Sequence, residues 1–184
     1  MSAEPLWLSA VAAVAVLAAV LVLRWRRAAA AKGAERAFRP PALRDATLAH
    51  MEKLFRVRSP VSLVARVDRA YRRPDGELVL VELKTRRSDR AYATDVIQLS
   101  AQKMALEGQT GQHVADHGFV TVQRPKGTAA PRSHRVELLD ASKIAALYRR
   151  REDIIGGRLM PRYADSSSAC RGCAFRSRCD RDGK

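Results

Sequence analysis

Residues 81–87 read VELKTRR, and shortly before them stands VARVDRAY, residues 64–71. The two stretches belong to longer runs. SLVARVDRAYRR alternates Leu63, Ala65 and Val67 against Arg66 and Asp68; PDGE then signals a turn, and ELVLVELK reads as a second strand. Side chains alternate along a strand, so Glu82 and Lys84 share one face while Leu83 takes the other. A hairpin with this turn brings Asp68 beside Glu82. Two carboxylates and the Leu83 carbonyl then offer hard oxygen ligands suited to Mg²⁺ or Mn²⁺. Lys84 is placed to orient a water or to stabilise its hydroxide form, and the ion would acidify that water and neutralise charge at a phosphorus. The competing reading is an amphipathic strand whose charges are simply solvated.

The neighbouring segments bear on that choice. TRRSDR comes directly after the second strand and offers Arg86, Arg87 and Arg90 to a phosphate backbone. DVIQLSAQKMALEGQTG has the spacing of a helix, with Val96, Leu99, Met104 and Leu106 as core candidates. Gln98 and Gln102 lie four apart on one face of it. Gln98 is the candidate for orienting a water or a metal-bound carboxylate, and Gln102 reads more simply as a surface glutamine. HGFVTVQR and HRVELLD are two further strands, and DASKIAALYRRREDII is a closing helix that ends at Gly156-Gly157. Upstream, RDATLAHMEKLF (44–55) places Leu48, Met51, Leu54 and Phe55 at helical spacing. This order implies one mixed sheet flanked by helices.

Of 184 residues, 34 are Lys or Arg and 19 are Asp or Glu, a net charge of +15. Such a balance favours a polyanionic partner, nucleic acid or an anionic membrane face, unless coding bias alone explains the arginines. Leu6 to Leu23 carries no charge and would span about 27 Å as a helix, close to one bilayer core. A cleaved signal peptide would have a basic start and a shorter apolar core, whereas here Arg24, Arg26, Arg27 and Lys32 come after the run. The expectation is therefore one transmembrane helix in residues 1–27, with Trp7 and Trp25 near the interfaces. The charge rule places the remaining chain on the cytoplasmic side of the inner membrane. Residues 28–42 read as a linker ending at Pro40-Pro41, and residues 43–184 as the functional domain.

Cys170, Cys173 and Cys179 are the chain's three cysteines. Crowded and odd in number, they do not suggest a disulfide framework, and they point to metal-ligand chemistry in a reducing compartment. Together with RVDRA, VELKT, DVIQLSAQKMAL and HGFVTV, the tail LMPRY…CRGCAFRSRC resembles the PD-(D/E)xK nuclease superfamily. Within it the resemblance is to RecB-like exonucleases of the CRISPR-associated type that carry a C-terminal cysteine cluster.

The resemblance implies a restriction-endonuclease-like α/β fold and Mg²⁺- or Mn²⁺-dependent cleavage of DNA, usually at single-stranded ends. Asp68, Glu82 and the Leu83 carbonyl correspond to the metal ligands, Lys84 to the water-activating base, and Gln98 to the first residue of a Gln-xxx-Tyr motif whose Tyr is here Gln102. The family's upstream active-site histidine has one candidate, His50, with Glu52 as the alternative. Its [4Fe–4S] centre uses four cysteines, so a fourth ligand here would come from His50, His113, His117, His134 or a partner chain, with Zn²⁺ as an alternative occupant. The expected function is a membrane-tethered, metal-dependent DNA nuclease. The alternative is a non-catalytic, membrane-anchored nucleic-acid-binding module with a nuclease-like fold.

Overall fold

A computed structural model describes residues 16–25, 33, 35–125, 130–164, 167–171, 173–174 and 176–179. Its contacts divide the chain into two compact units, Met1–Ala141 and Ser142–Lys184. The first unit holds a five-stranded sheet in the order β1-β2-β3-β4-β5. The strands are β1 (Thr47–Val57), β2 (Leu63–Arg72), β3 (Leu78–Thr85), β4 (Val114–Gln123) and β5 (Arg132–Glu137). All neighbours are antiparallel except β3 and β4. A parallel pair needs a long crossover, and helix α1 (Ala93–Thr110) supplies it.

The expected hairpin is β2–β3. Its turn is closed by Arg73 N donating to Glu77 O at 2.9 Å, and Gly76 takes a φ of 91° that disfavours any side chain. At the start of α1, the Asp95 carboxylate accepts the Tyr92 amide at 2.9 Å. At its end, Gly111 adopts a left-handed φ of 67° and its amide closes on Glu107 O.

The sheet has a core on each face. On the α1 side, Phe55, Val67, Ala70, Leu78, Leu80, Val114, Val120 and Val122 pack with Leu99, Ala105 and Leu106 of the helix. On the other side, Tyr71, Val79, Val81, Ala115 and Phe119 pack with Leu43 and Ala46. β3 is covered on both faces, which is why it reads as a nearly unbroken apolar run. The second face is fastened by a buried polar group. Tyr71 Oη donates to Glu35 Oε1 at 2.6 Å, Arg39 reaches both Glu35 oxygens at 3.0 and 3.1 Å, and Arg69 donates to the Glu35 carbonyl at 2.9 Å. Burial works to raise the Glu35 carboxyl, but the Arg39 and Tyr71 hydrogen bonds hold it below its ordinary value. The same burial, with Glu35 beside it, pushes the Tyr71 phenol up to about 12.

Two expectations are corrected here. Residues 44–55 are not a helix, because Thr47–Val57 is the edge strand β1 and pairs with β2 along its length. Leu48, Met51 and Leu54 stay exposed and Phe55 is buried, so the helical spacing of the four never defined a buried face. The transmembrane helix is also overturned, and the single-pass inner-membrane location goes with it. Among the described residues no helix is long and apolar enough to cross a membrane. Residues 1–15 of the expected span lie outside the described residues.

The second unit contains α2, which begins at Ala141 on the boundary and runs to Ile155, the short helix α3 (Ser167–Arg171) and a 3₁₀ turn at Arg176–Arg178. Ile144 and Ala145 of α2 are buried, and Gly157 turns the chain after the helix with a φ of 69°.

Near the end of α1, Gly108 approaches β1 so closely that an added Cβ would lie 2.4 Å from Val57 Cγ2 and 3.0 Å from Val57 Cβ. Alanine would gain about 1 kcal/mol of helix propensity but incur about 1–3 kcal/mol of overpacking. Gly108→Ala is therefore expected to lower stability by about 1 kcal/mol in denaturant unfolding, and to become neutral or better in a Val57→Ala background.

Candidate active site

The β2–β3 ladder runs from Arg72↔Leu78 to Arg69↔Val81 and stops. One step further the backbones part, and the Asp68 carboxylate takes over as acceptor, receiving the Leu83 amide at 2.9 Å. The parting has a local cause. Val67 and Ala70, three residues apart, both face the α1-side core, so strict strand alternation breaks between them, and Asp68 sits in the break. The facing strand shares the irregularity. Glu52, between the pairs Met51↔Arg69 and Lys53↔Val67, has a φ of 50°, strained for a non-glycine residue. On its other side β3 stays paired, Glu82 with Val120 and Lys84 with Val122, so the strand cannot follow β2 away.

Glu82 faces α1 and is almost fully buried. Gln98 Nε2 donates to its Oε1 at 2.6 Å, and Gln102 Nε2 to its Oε2 at 2.8 Å. Lys84 Nζ lies 2.8 Å from Glu82 Oε1 and donates to Gln98 Oε1 at 2.9 Å. The Gln98 amide thus links the carboxylate and the ammonium, with its orientation set by one acceptor and one donor. Burial raises the Glu82 carboxyl above its ordinary value; the Lys84 ammonium opposes that shift and the Asp68 charge adds to it. The carboxylates are close enough to feel each other, which is the electrostatic condition for a cation between them.

Gln102 is the residue that sequence reasoning undervalued. It is 1% exposed, and its Nε2 also donates to the Arg66 carbonyl at 2.9 Å. One amide group therefore spans the disrupted stretch of β2 and the carboxylate of β3. Its Oε1 has no partner and is buried. The i, i+4 spacing from Gln98 was the available signal, and only packing shows that both amides turn inward.

The other candidates fall into place around this cluster. His50 packs edge-on against Phe55 at 5.2 Å, and its Nε2 is buried without a partner. Burial, reinforced by Lys53 and Arg72, lowers its pKa. It is hydrogen-bonded to none of Asp68, Glu82 or Lys84. Glu52 pairs with Arg66 at 2.8 Å. Arg86 grips the buried Asp95 with both arms, at 3.2 and 2.7 Å, stacks at 4.4 Å on the Tyr92 ring and donates to the Arg90 carbonyl. Both of its terminal nitrogens are thus engaged, and Arg86 braces its loop. Arg87 and Arg90 are exposed, with Arg90 4.7 Å from the Tyr92 ring. The loop is tied at its other side through Asp89, which meets Arg132 at 2.9 Å and His134 at 2.8 Å.

In chemical terms the site suits a hard divalent ion: two carboxylates, the Leu83 carbonyl at the parted strand end, and no sulfur. Asp68 and Glu82 would hold it. Cys170, Cys173 and Cys179 form no disulfide with one another, and among the described residues no group of three or more His, Cys, Asp or Glu side chains is gathered to hold a metal ion. The expected zinc or [4Fe–4S] centre thus finds no ligand set there, since either group needs its ligands converged on one point. Of the histidines considered as a fourth ligand, His113 lies beside Glu77 and Glu107 and His134 beside Asp89, while His50 packs against Phe55 and His117 against Phe119.

Two substitutions test this geometry. Gln102→Leu would strip a donor from the buried Glu82 and from the Arg66 carbonyl, and should cost about 2–3 kcal/mol in denaturant unfolding; a change under about 0.5 kcal/mol would mean the bridge holds nothing. Burial works to raise the Asp95 carboxyl, yet the Arg86 fork and the Tyr92 amide hold it below its ordinary value. A depressed carboxyl contributes stability above its unfolded pKa and loses it as pH falls through the folded one. Asp95→Asn should accordingly cost about 3 kcal/mol at pH 7, with the gap to wild type closing below about pH 4.

The family model of the PD-(D/E)XK nuclease superfamily matches residues 2–180. Among solved structures, one titled "Crystal structure of SSO0001" aligns at 23% identity with a TM-score of 0.44, covering 73% of this chain and 57% of that one. The chain thus spans a little over half the length of that structure. No match is found among the curated proteins. With a family match over nearly its whole length, this chain belongs to the PD-(D/E)XK nuclease superfamily.

Proposed function

We propose that the protein is a metal-dependent deoxyribonuclease that hydrolyses phosphodiester bonds, with single-stranded DNA ends as the preferred substrate. The observation that carries this reading is the Glu82–Lys84–Gln98–Gln102 cluster beside Asp68, because it holds in register the three side chains that the chemistry needs. Members of the superfamily are generally nucleases and usually use Mg²⁺ or Mn²⁺. Asp68, Glu82 and the Leu83 carbonyl would hold that ion, which when bound supplies charge neutralisation at the phosphorus and a more acidic water.

The rest is done by the chain's own residues. Lys84, on the same face of β3 as Glu82, orients the attacking water and stabilises its developing negative charge. Gln98 keeps Lys84 and Glu82 in mutual position, and Gln102 fixes the second oxygen of Glu82. The water oxygen bonds to phosphorus, the bond from phosphorus to the leaving oxygen breaks, and the proton lost by water is matched by one gained at the leaving group. Arg87 and Arg90, exposed on the loop braced by Arg86, meet the phosphate backbone and carry no base specificity. The basic charge of the chain suits a salt-sensitive, sequence-independent grip.

The test is cleavage of 5′- and 3′-labelled single-stranded DNA by the full chain with Mn²⁺, beside duplex DNA and RNA. Lys84→Ala is expected to lower the rate by about 10²-fold or more while DNA binding persists. Equal cleavage by wild type and variant would remove Lys84 from the mechanism. DNA binding without cleavage in any metal would favour the non-catalytic binding module.

A further inference from the structure

Lys84 has a place in the site beyond its part in the reaction. Its ammonium lies 2.8 Å from Glu82 Oε1, an oxygen that also accepts Gln98 Nε2 at 2.6 Å, and Gln98 Oε1 accepts Lys84 Nζ at 2.9 Å. The three groups form a closed ring in which every contact is satisfied. Glu82's other oxygen is held by Gln102. A carboxylate this buried needs a positive neighbour, and Asp68 adds a second negative charge nearby. The lysine side chain is about a quarter exposed, so it has room to withdraw toward solvent, whereas Glu82 does not.

We propose that Lys84, clamped by Gln98, is the resident counter-cation of the metal-free site, and that a divalent ion binds by displacing it from Glu82 Oε1. The proposal rests on the nuclease reading above and concerns how that site is loaded. Metal affinity and lysine availability are then a single exchange. While the ammonium neutralises Glu82, two of its three N–H bonds are taken by Glu82 and Gln98, and the arrival of the ion frees the one on Glu82 for substrate. The ring also sets a threshold, because the ion must break a charge-assisted hydrogen bond before it gains its own ligand. The chain thereby keeps Glu82 ordered without an ion and limits loading at low ion concentration.

The experiment is calorimetric titration of the full chain with Mn²⁺, without DNA, for wild type, Lys84→Met, Gln98→Ala and Glu82→Gln. Methionine keeps the unbranched stem and removes the charge. Lys84→Met is expected to bind Mn²⁺ about tenfold more tightly than wild type, Gln98→Ala to move the same way by less, and Glu82→Gln to lose binding. A second readout tracks the Lys84 ammonium by NMR in wild type: its protons are protected from exchange in the ion-free protein and lose that protection on saturation with Mg²⁺. If Lys84→Met binds no more tightly while Glu82→Gln still abolishes binding, the exchange is wrong and the metal site stands. If Glu82→Gln binds like wild type, or no form binds Mn²⁺, both readings fall.

Discussion

Glu82 is a carboxylate set into the wall between sheet and helix, and the rest of the site is arranged around keeping it there. A buried unpaired carboxylate costs several kcal/mol, more than a small domain can spare. Here its two oxygens receive two glutamine amides and an ammonium. Those donors come from α1 and from β3 itself, so the burial of one acid dictates which face of α1 turns inward and how far along β3 the helix must reach. The crossover between the parallel strands β3 and β4 therefore does two jobs. It closes the sheet topology, and it delivers Gln98 and Gln102 to one carboxylate.

The second constraint is the parting of β2 from β3. A regular ladder would have paired the Leu83 amide with a backbone carbonyl and left Asp68 as one more side chain on a strand face. Because the alternation of β2 breaks between Val67 and Ala70, the Asp68 carboxylate becomes the acceptor for that amide. Gln102 then bridges the gap by holding the Arg66 carbonyl on one strand and Glu82 on the other. At the irregularity the Leu83 amide is thus satisfied by Asp68, and the Arg66 carbonyl and Glu82 by Gln102. On the opposite face the Glu35–Tyr71–Arg39 group anchors β2 through Tyr71, three residues beyond Asp68.

The loop between β3 and α1 shows how basic residues divide their labour. Arg86, Arg87 and Arg90 are alike in sequence, yet Arg86 is consumed by Asp95 and Tyr92 while Arg87 stays exposed. Asp95 also caps α1, so a single carboxylate fixes both the helix start and the loop leaving the site. A positively charged loop needs such bracing, since its own charges repel one another.

The sequence by itself determined the β2–β3 hairpin, α1, β4, β5 and α2, because each carries a period or a turn signal that depends only on neighbouring residues. It also read Asp68, Glu82 and Lys84 as one site from alternation and turn length, although the regular ladder stops at Arg69 and Val81. It misread residues 44–55, where four apolar side chains fit a helix and the sheet edge alone decided for a strand. It read Leu6–Leu23 as a membrane span, whereas among the described residues no helix is long and apolar enough to cross a membrane. Only tertiary structure decided that Gln102 is buried, that Arg86 is a brace, and that Glu35 belongs under Tyr71. Those outcomes depend on which partner lies across a packed interface, and a residue's own neighbours in the chain carry no record of that.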